Sequence, residues 1–250
     1  LVAVNIWYHV GSRNERRGRT GFAHLFEHFF FNGSEHYPHG FREAMDDLGA
    51  NNRNGTTNTD RTNFFEDVPT SALERTLYLE ADRMGFLAGN LSAEMLERER
   101  GVVKNEKRQG ENQPYGRVFD RISEAMYPYS HPYSWSTIGS MADLDAATLD
   151  DIRDWYTAWY GPNNAVLALA GDISVDEAKA LVGKYFGGIA PGAPAVALAQ
   201  AVATEPLLRF AGLQAYHGKA QHLRGAGARR DAIAAVVAAV QHTRQLLEAA

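Results

Sequence analysis

A chain of 250 residues, 45% hydrophobic and 22% charged, can bury a sizeable core as one large domain or two small ones. A net charge of -5 gives it none of the basic field that nucleic acid attracts, and it has no apolar stretch long enough to cross a bilayer, so neither a nucleic-acid partner nor a membrane span is expected. The absence of cysteine excludes disulfides, thiolate metal sites and a cysteine nucleophile, and is tolerated in oxidising and reducing surroundings alike.

Leu1 to Val10 alternates, with Val2, Val4, Ile6, Tyr8 and Val10 on one face, and predicts a strand. There is no initiator Met, which points to a chain that begins inside a longer protein, its targeting segment and first strand missing. Gly11 to Arg19 reads as a charged loop, Gly21 to Phe31 as a helix broken by Asn32-Gly33-Ser34, and Phe41 to Leu48 as a short helix. Asn51 to Asp60 is polar, and Asn51 to Asn58 is, on composition alone, a loop, whereas Arg61 to Val68 has the β-branched and aromatic content of a strand. Ser71 with Glu74 forms a capping box for a helix reaching about Ala88, and Ser92 caps a second that reaches about Gly110.

A helix follows Pro114, then a loop from Tyr127 to Trp135, a helix from Asp145 to Trp159, and a buried strand from Ala165 to Ala170. Ser174 and Glu177 make another capping box, for a helix that stops at Gly187-Gly188. Strands and helices mix without a βαβ rhythm, so the fold class is α+β. From Pro191 alanine dominates, and Ala228 to Ala249 reads as an alanine-rich helix; two segments result, 1–190 and a tail of 191–250.

His24 and His28 are four apart, so on a helix their imidazoles project from one face, the spacing two ligands need to share one metal ion. Glu27 lies on that face, within reach of a water held by the metal, where a carboxylate can take its proton and later pass it to a leaving amine. The order His-x-x-Glu-His is the inverted zincin signature. A third protein ligand is needed to leave one position open. Glu99 and Glu106, seven apart on the Ser92 helix, face the same way, and periodicity does not choose between them; Glu94, Glu97 and Glu111 point elsewhere, as solvated charges.

Gly21-Phe-Ala-His-Leu-Phe-Glu-His28, Phe31-Asn-Gly-Ser34 and Arg100-Gly-Val-Val-Lys-Asn-Glu-Lys-Arg-Gln109 together resemble the pitrilysin-type metallopeptidases. Asn54-Gly-Thr-Thr57, Ser136-Thr-Ile-Gly-Ser140 and Ala170-Gly-Asp172 are similar to that family as well, in order from residue 1 to about 190; no family pattern is recognised after Gly192. The resemblance implies one zinc ion held by His24, His28 and Glu106, with Glu27 as general base and Glu99 as an auxiliary glutamate. It implies that Asn54, Gly55 and Thr56 lie on an edge strand against which a peptide or small protein substrate is laid by β-augmentation. It also implies an antiparallel sheet flanked by helices, as in pitrilysin and mitochondrial processing peptidase, and a homologous non-catalytic half, in the same or another chain, that closes around the substrate. Relatives of this kind are often exported, so a periplasmic or secreted location is expected.

His36, His39 and His131 read as surface or packing histidines; Trp155, Tyr156, Trp159 and Tyr160 as core; nothing is assigned to His217, His222 or His242. Two rivals stand beside the zinc peptidase. One is a non-peptidase hydrolase with the same motif, whose known type relies on a cysteine that this chain lacks. The other is a non-catalytic fragment or interaction subunit.

Overall fold

The alternation of the first ten residues is realised as strand β1 (Val2–Tyr8), whose Val2, Val4, Ile6 and Tyr8 are buried, with Val10 just beyond. The structure, a computed structural model, describes residues 1–189 and five helical positions of the tail, Arg230, Ala234, Val237, Ala238 and Gln241. His217, His222, His242 and the rest of the expected Ala228–Ala249 helix lie outside the described residues.

β1 is central in a four-stranded antiparallel sheet with β2 (Asn51–Thr57), β3 (Thr62–Val68) and β4 (Ala165–Gly171), in the order β2-β3-β1-β4. Val4 lies opposite Glu66 on one side and Leu169 on the other. The α+β class and the sheet flanked by helices are thus as expected. β2 corrects the composition-based reading of Asn51 to Asn58 as a loop. Only Gly55 of its seven residues is buried, so side-chain propensity does not build it; the ladder to β3 does.

Helices α1 (Phe22–Phe29), α2 (Phe41–Asp47), α3 (Leu73–Phe86) and α4 (Ala93–Glu111) follow, and then α5 (Val118–Met126), α6 (Met141–Ala146), α7 (Leu149–Trp159) and α8 (Val175–Phe186). An aromatic cluster joins sheet and helices. Tyr8 meets Phe30 and Tyr160 at ring separations of 5.6 and 5.1 Å, Phe30 stacks on Phe64 at 4.7 Å, and Phe26 stacks on Tyr160 at 5.1 Å. Burying each such ring contributes about 1.5–3 kcal/mol, which fixes α1 against β1, β3 and α7. Arg83 of α3, itself buried, donates to Glu80 Oε2 at 2.8 Å and to the Phe30 carbonyl at 3.1 Å, holding the chain just after α1.

Two other expectations change. Ser71 does not cap α3: it sits in a short 3-10 turn, Thr70–Ala72, the helix starts at Leu73 without a side-chain cap, and Glu74 instead accepts from Lys184 and Tyr185 of α8. The expected helix from Asp145 to Trp159 is broken at Ala147. Thr148 caps α7 by a reciprocal box with Asp151, a local hydrogen-bonding option that outcompetes helix continuation. Ser92 caps as expected, accepting from Met95 N, and Ser174 accepts from Glu177 N, which is the serine half of the expected box without the return bond from the Glu177 side chain.

Candidate metal and catalytic site

α1 is two-faced. Phe22, Ala23, Leu25, Phe26 and Phe29 are buried, which turns His24, Glu27 and His28 away from the core, each half-buried. Opposite them runs α4, whose Leu96, Glu99 and Val103 are buried, and Glu106 extends the same stripe by one further turn.

His24, His28, Glu99 and Glu106 converge. His28 Nε2 lies 3.3 Å and His24 Nε2 3.7 Å from Glu106 Oε2, and one donor atom from each of His24, His28 and Glu106 lies within 4.8 Å of the others. Ligands about 2.0–2.1 Å from a tetrahedral zinc sit roughly 3.3 Å apart, so these separations and the His-His-Glu donor set fit zinc with one position left over. Glu99 takes the other side of His28, 3.7 Å from its Nδ1, and also accepts from Asn32 Nδ2 at 3.2 Å and Arg98 Nε at 3.0 Å.

Burial is the largest influence on His24, Glu27, His28 and Glu99. It lowers His24 to about 4, against a raising effect of Glu106, so that imidazole is neutral at neutral pH. Burial would lower His28 too, but the neighbouring Glu99 and Glu106 carry it above the usual histidine value. Glu27 is raised by burial, with Thr57 and His28 opposing. Glu99 is the reverse case: burial raises it, but His28, Arg98 and Asn32 together hold it below the ordinary carboxylate value.

β2 closes the site from the sheet side. Thr57 Oγ1 donates to Glu27 Oε2 at 2.5 Å, and at Gly55 a Cβ would stand 3.0 Å from both Glu27 Cγ and the Phe64 ring, so a larger residue would have to push those side chains back. Asn54 is exposed; Thr56 Oγ1 donates to Asn63 at 2.6 Å, and the Thr56 carbonyl accepts from Arg61 at 2.8 Å. On its other side β2 has no strand partner among the described residues.

Thr57, Asn32 and Arg98 are site residues that the sequence reading does not single out. Thr57 and Asn32 lie inside the family-like stretches, which is the available signal; nothing in the spacing marks Arg98. Glu94 and Glu97 are exposed, as expected, whereas Glu111 is half-buried and paired with Lys107 and Arg117. His36 and His39 are exposed, His36 bonding Asp82 at 2.6 Å, and exposed His131 stacks on Tyr127. Tyr156 and Tyr160 are buried, Trp155 and Trp159 half-buried against the core.

Known proteins resemble the chain in sequence and in fold. The chain is 34% identical over 187 residues to the zinc protease PqqE of Helicobacter pylori, a stretch that is 74% of this chain and 41% of that protein. The crystal structure of a protease from Helicobacter pylori superposes with a TM-score of 0.71 at 34% identity, covering 75% of this chain and 45% of that one. The ferredoxin protease FusC, solved as a mutant in complex with Arabidopsis ferredoxin, superposes with a TM-score of 0.68 at 25% identity, over 75% of this chain and 21% of that one. The chain thus spans about two fifths of PqqE. No described helix is long and apolar enough to cross a membrane. Residues 146–245 match the family model for the peptidase M16 inactive domain, which corrects the expectation that no family pattern continues after Gly192. Residues 1–137 match the model for insulinase (peptidase family M16), and the chain belongs to that family.

Proposed function

We propose that this chain carries the catalytic domain of a zinc-dependent endopeptidase or oligopeptidase, with His24, His28 and Glu106 as ligands to one zinc ion. The convergence of these three side chains from α1 and α4 is the observation that carries the reading. Zinc at this position would act as a Lewis acid toward the scissile carbonyl and make water acidic enough to be deprotonated near neutral pH. Glu27 accepts that proton and returns it to the leaving amine. Its burial favours the protonated form and so suits it to the second step, while the Thr57 hydroxyl steadies the carboxylate needed in the first. Glu99, beside His28 Nδ1, orients the imidazole so that Nε2 faces Glu106.

A peptide or small protein substrate lies along β2 at Asn54, Gly55 and Thr56, adding a strand on the side of β2 that has no strand partner among the described residues. The complex of FusC with a small protein is in keeping with that substrate class. Residues 1–190 form the zinc-bearing domain, and 191–250 begin the following segment. A homologous half, in the remainder of the protein or in another chain, completes the chamber, in line with the partial span of the relatives. The reading includes an exported location, periplasmic or secreted.

The test is zinc content and peptide cleavage by the purified chain, alone and with a companion half, beside Glu27→Gln. Stoichiometric zinc with cleavage that Glu27→Gln abolishes is expected once the chamber is complete. A wild-type chain without zinc would sink the reading. Zinc without cleavage in any combination would favour a non-catalytic interaction subunit.

A further inference from the structure

The first turn of a helix leaves N–H groups in need of outside acceptors, and α1 has no side chain of its own to supply them, because it starts at Gly21 in the left-handed region with φ 93°. The acceptors come from Glu15. Its Oε2 accepts from Gly21 N at 3.0 Å and its Oε1 from Ala23 N at 2.9 Å, in a setting that leaves the residue only 6% exposed. Ala23 immediately precedes His24. A second carboxylate, Asp143, holds the residue before the helix, accepting from Thr20 N at 2.9 Å and Thr20 Oγ1 at 2.6 Å.

Glu15 is itself anchored. The short turn before it, Ser12–Asn14, is bonded to the connection between β2 and β3, by Ser12 N to the Asn58 carbonyl at 3.2 Å and Arg13 N to the Thr59 carbonyl at 2.8 Å. Trp135 Nε1 donates to the Ser12 carbonyl at 3.2 Å. A continuous hydrogen-bonded path therefore runs from the end of β2, through Ser12 to Glu15, to the start of α1. The same two elements meet again at Thr57 and Glu27.

We propose that Glu15 is a positioning residue for the metal centre: it sets α1 relative to the end of β2, so that His24 and His28 converge on Glu106. The inference rests on the zinc reading above and extends it to a residue that acts through Gly21 and Ala23. A carboxyl is suited to this because both oxygens accept, whereas the amide of Gln offers one oxygen and turns an NH2 donor on the other N–H.

The experiment compares the full chain with Glu15→Gln and with Glu66→Gln, a control carboxyl that is likewise buried but lies on β3. Zinc affinity is read by competition with a chromophoric chelator, amide exchange is read at Gly21 to His24, and stability by urea. Expected for Glu15→Gln are about tenfold or greater weakening of zinc binding, the range for groups that orient ligands, and faster exchange at Gly21 to His24. Glu66→Gln should move only the urea midpoint. Unchanged zinc affinity and exchange in a folded Glu15→Gln would overturn the proposal and leave the zinc reading standing. If the wild type itself binds no zinc, the zinc reading fails and the positioning proposal falls with it, whatever the exchange rates. Should Glu15→Gln not fold, Glu15→Asp, which keeps two acceptor oxygens on a shorter arm, decides by the same measurements.

Discussion

The Thr57 hydroxyl donates to Glu27 Oε2 at 2.5 Å, so an edge strand and the ligand-bearing helix share a hydrogen bond at the proposed base. Burial raises Glu27 above the ordinary carboxylate value, and this bond is the first influence opposing it. Thr57→Val keeps the shape and removes the donor, so the Glu27 pKa rises further. The base works as the carboxylate. The acid limb of kcat/KM should therefore move to higher pH, with a smaller change on the plateau. A pH–rate profile checks this, and an unmoved acid limb would separate Glu27 from the base role.

Glu99 and Glu106 should respond differently to the same change. Glu106→Gln removes a charged ligand, and the purified protein is expected to lose most of its zinc on dialysis. Glu99→Gln leaves the ligand set intact and should weaken zinc by about 10–100-fold through a less firmly oriented His28. Metal analysis with chelator titration checks both; zinc lost from Glu99→Gln but kept by Glu106→Gln would reverse the two assignments.

The stability that Glu66 contributes should fall as pH rises. Burial raises Glu66 well above the usual carboxylate value, so it binds a proton in the folded state that the unfolded chain has already released. Its contribution is complete below the unfolded carboxylate pKa and is lost on the way up, at a slope of at most about 1.4 kcal/mol per pH unit. Urea melts of wild type and Glu66→Gln from about pH 5 to 8 should show the difference between them shrink as pH rises. Parallel profiles would count against proton uptake by Glu66.

The parts of this fold that are legible in the sequence are those where one chain segment decides its own structure. β1 announces itself by alternation, α4 and α8 by the capping serines Ser92 and Ser174, and the two-faced α1 by its histidines amid buried phenylalanines. What the sequence hides depends on partners distant along the chain. β2 exists because β3 pairs with it, and Glu74 serves α8 rather than capping its own helix. The break at Thr148 is the exception, a local signal present in the sequence as Thr-x-x-Asp but masked within a helical pattern. For the site, spacing alone leaves Glu99 and Glu106 equivalent. Their difference lies in tertiary placement: one faces Nδ1 of His28, the other Nε2 of both histidines.

β2 contributes almost nothing of itself to the interior, only the bare backbone of Gly55. The exposed side chains of Asn51, Asn52 and Asn54 are therefore free to change without unsettling the core, while Gly55 and Thr57 hold the strand beside Glu27. On the proposed reading such a surface separates grip from taste: the grip comes from peptide groups that every polypeptide possesses, and the taste from residues such as Asn54 that the fold does not require. New preferences can then arise by substitution at the exposed positions, with Thr57 and the chemistry a few ångströms away left undisturbed.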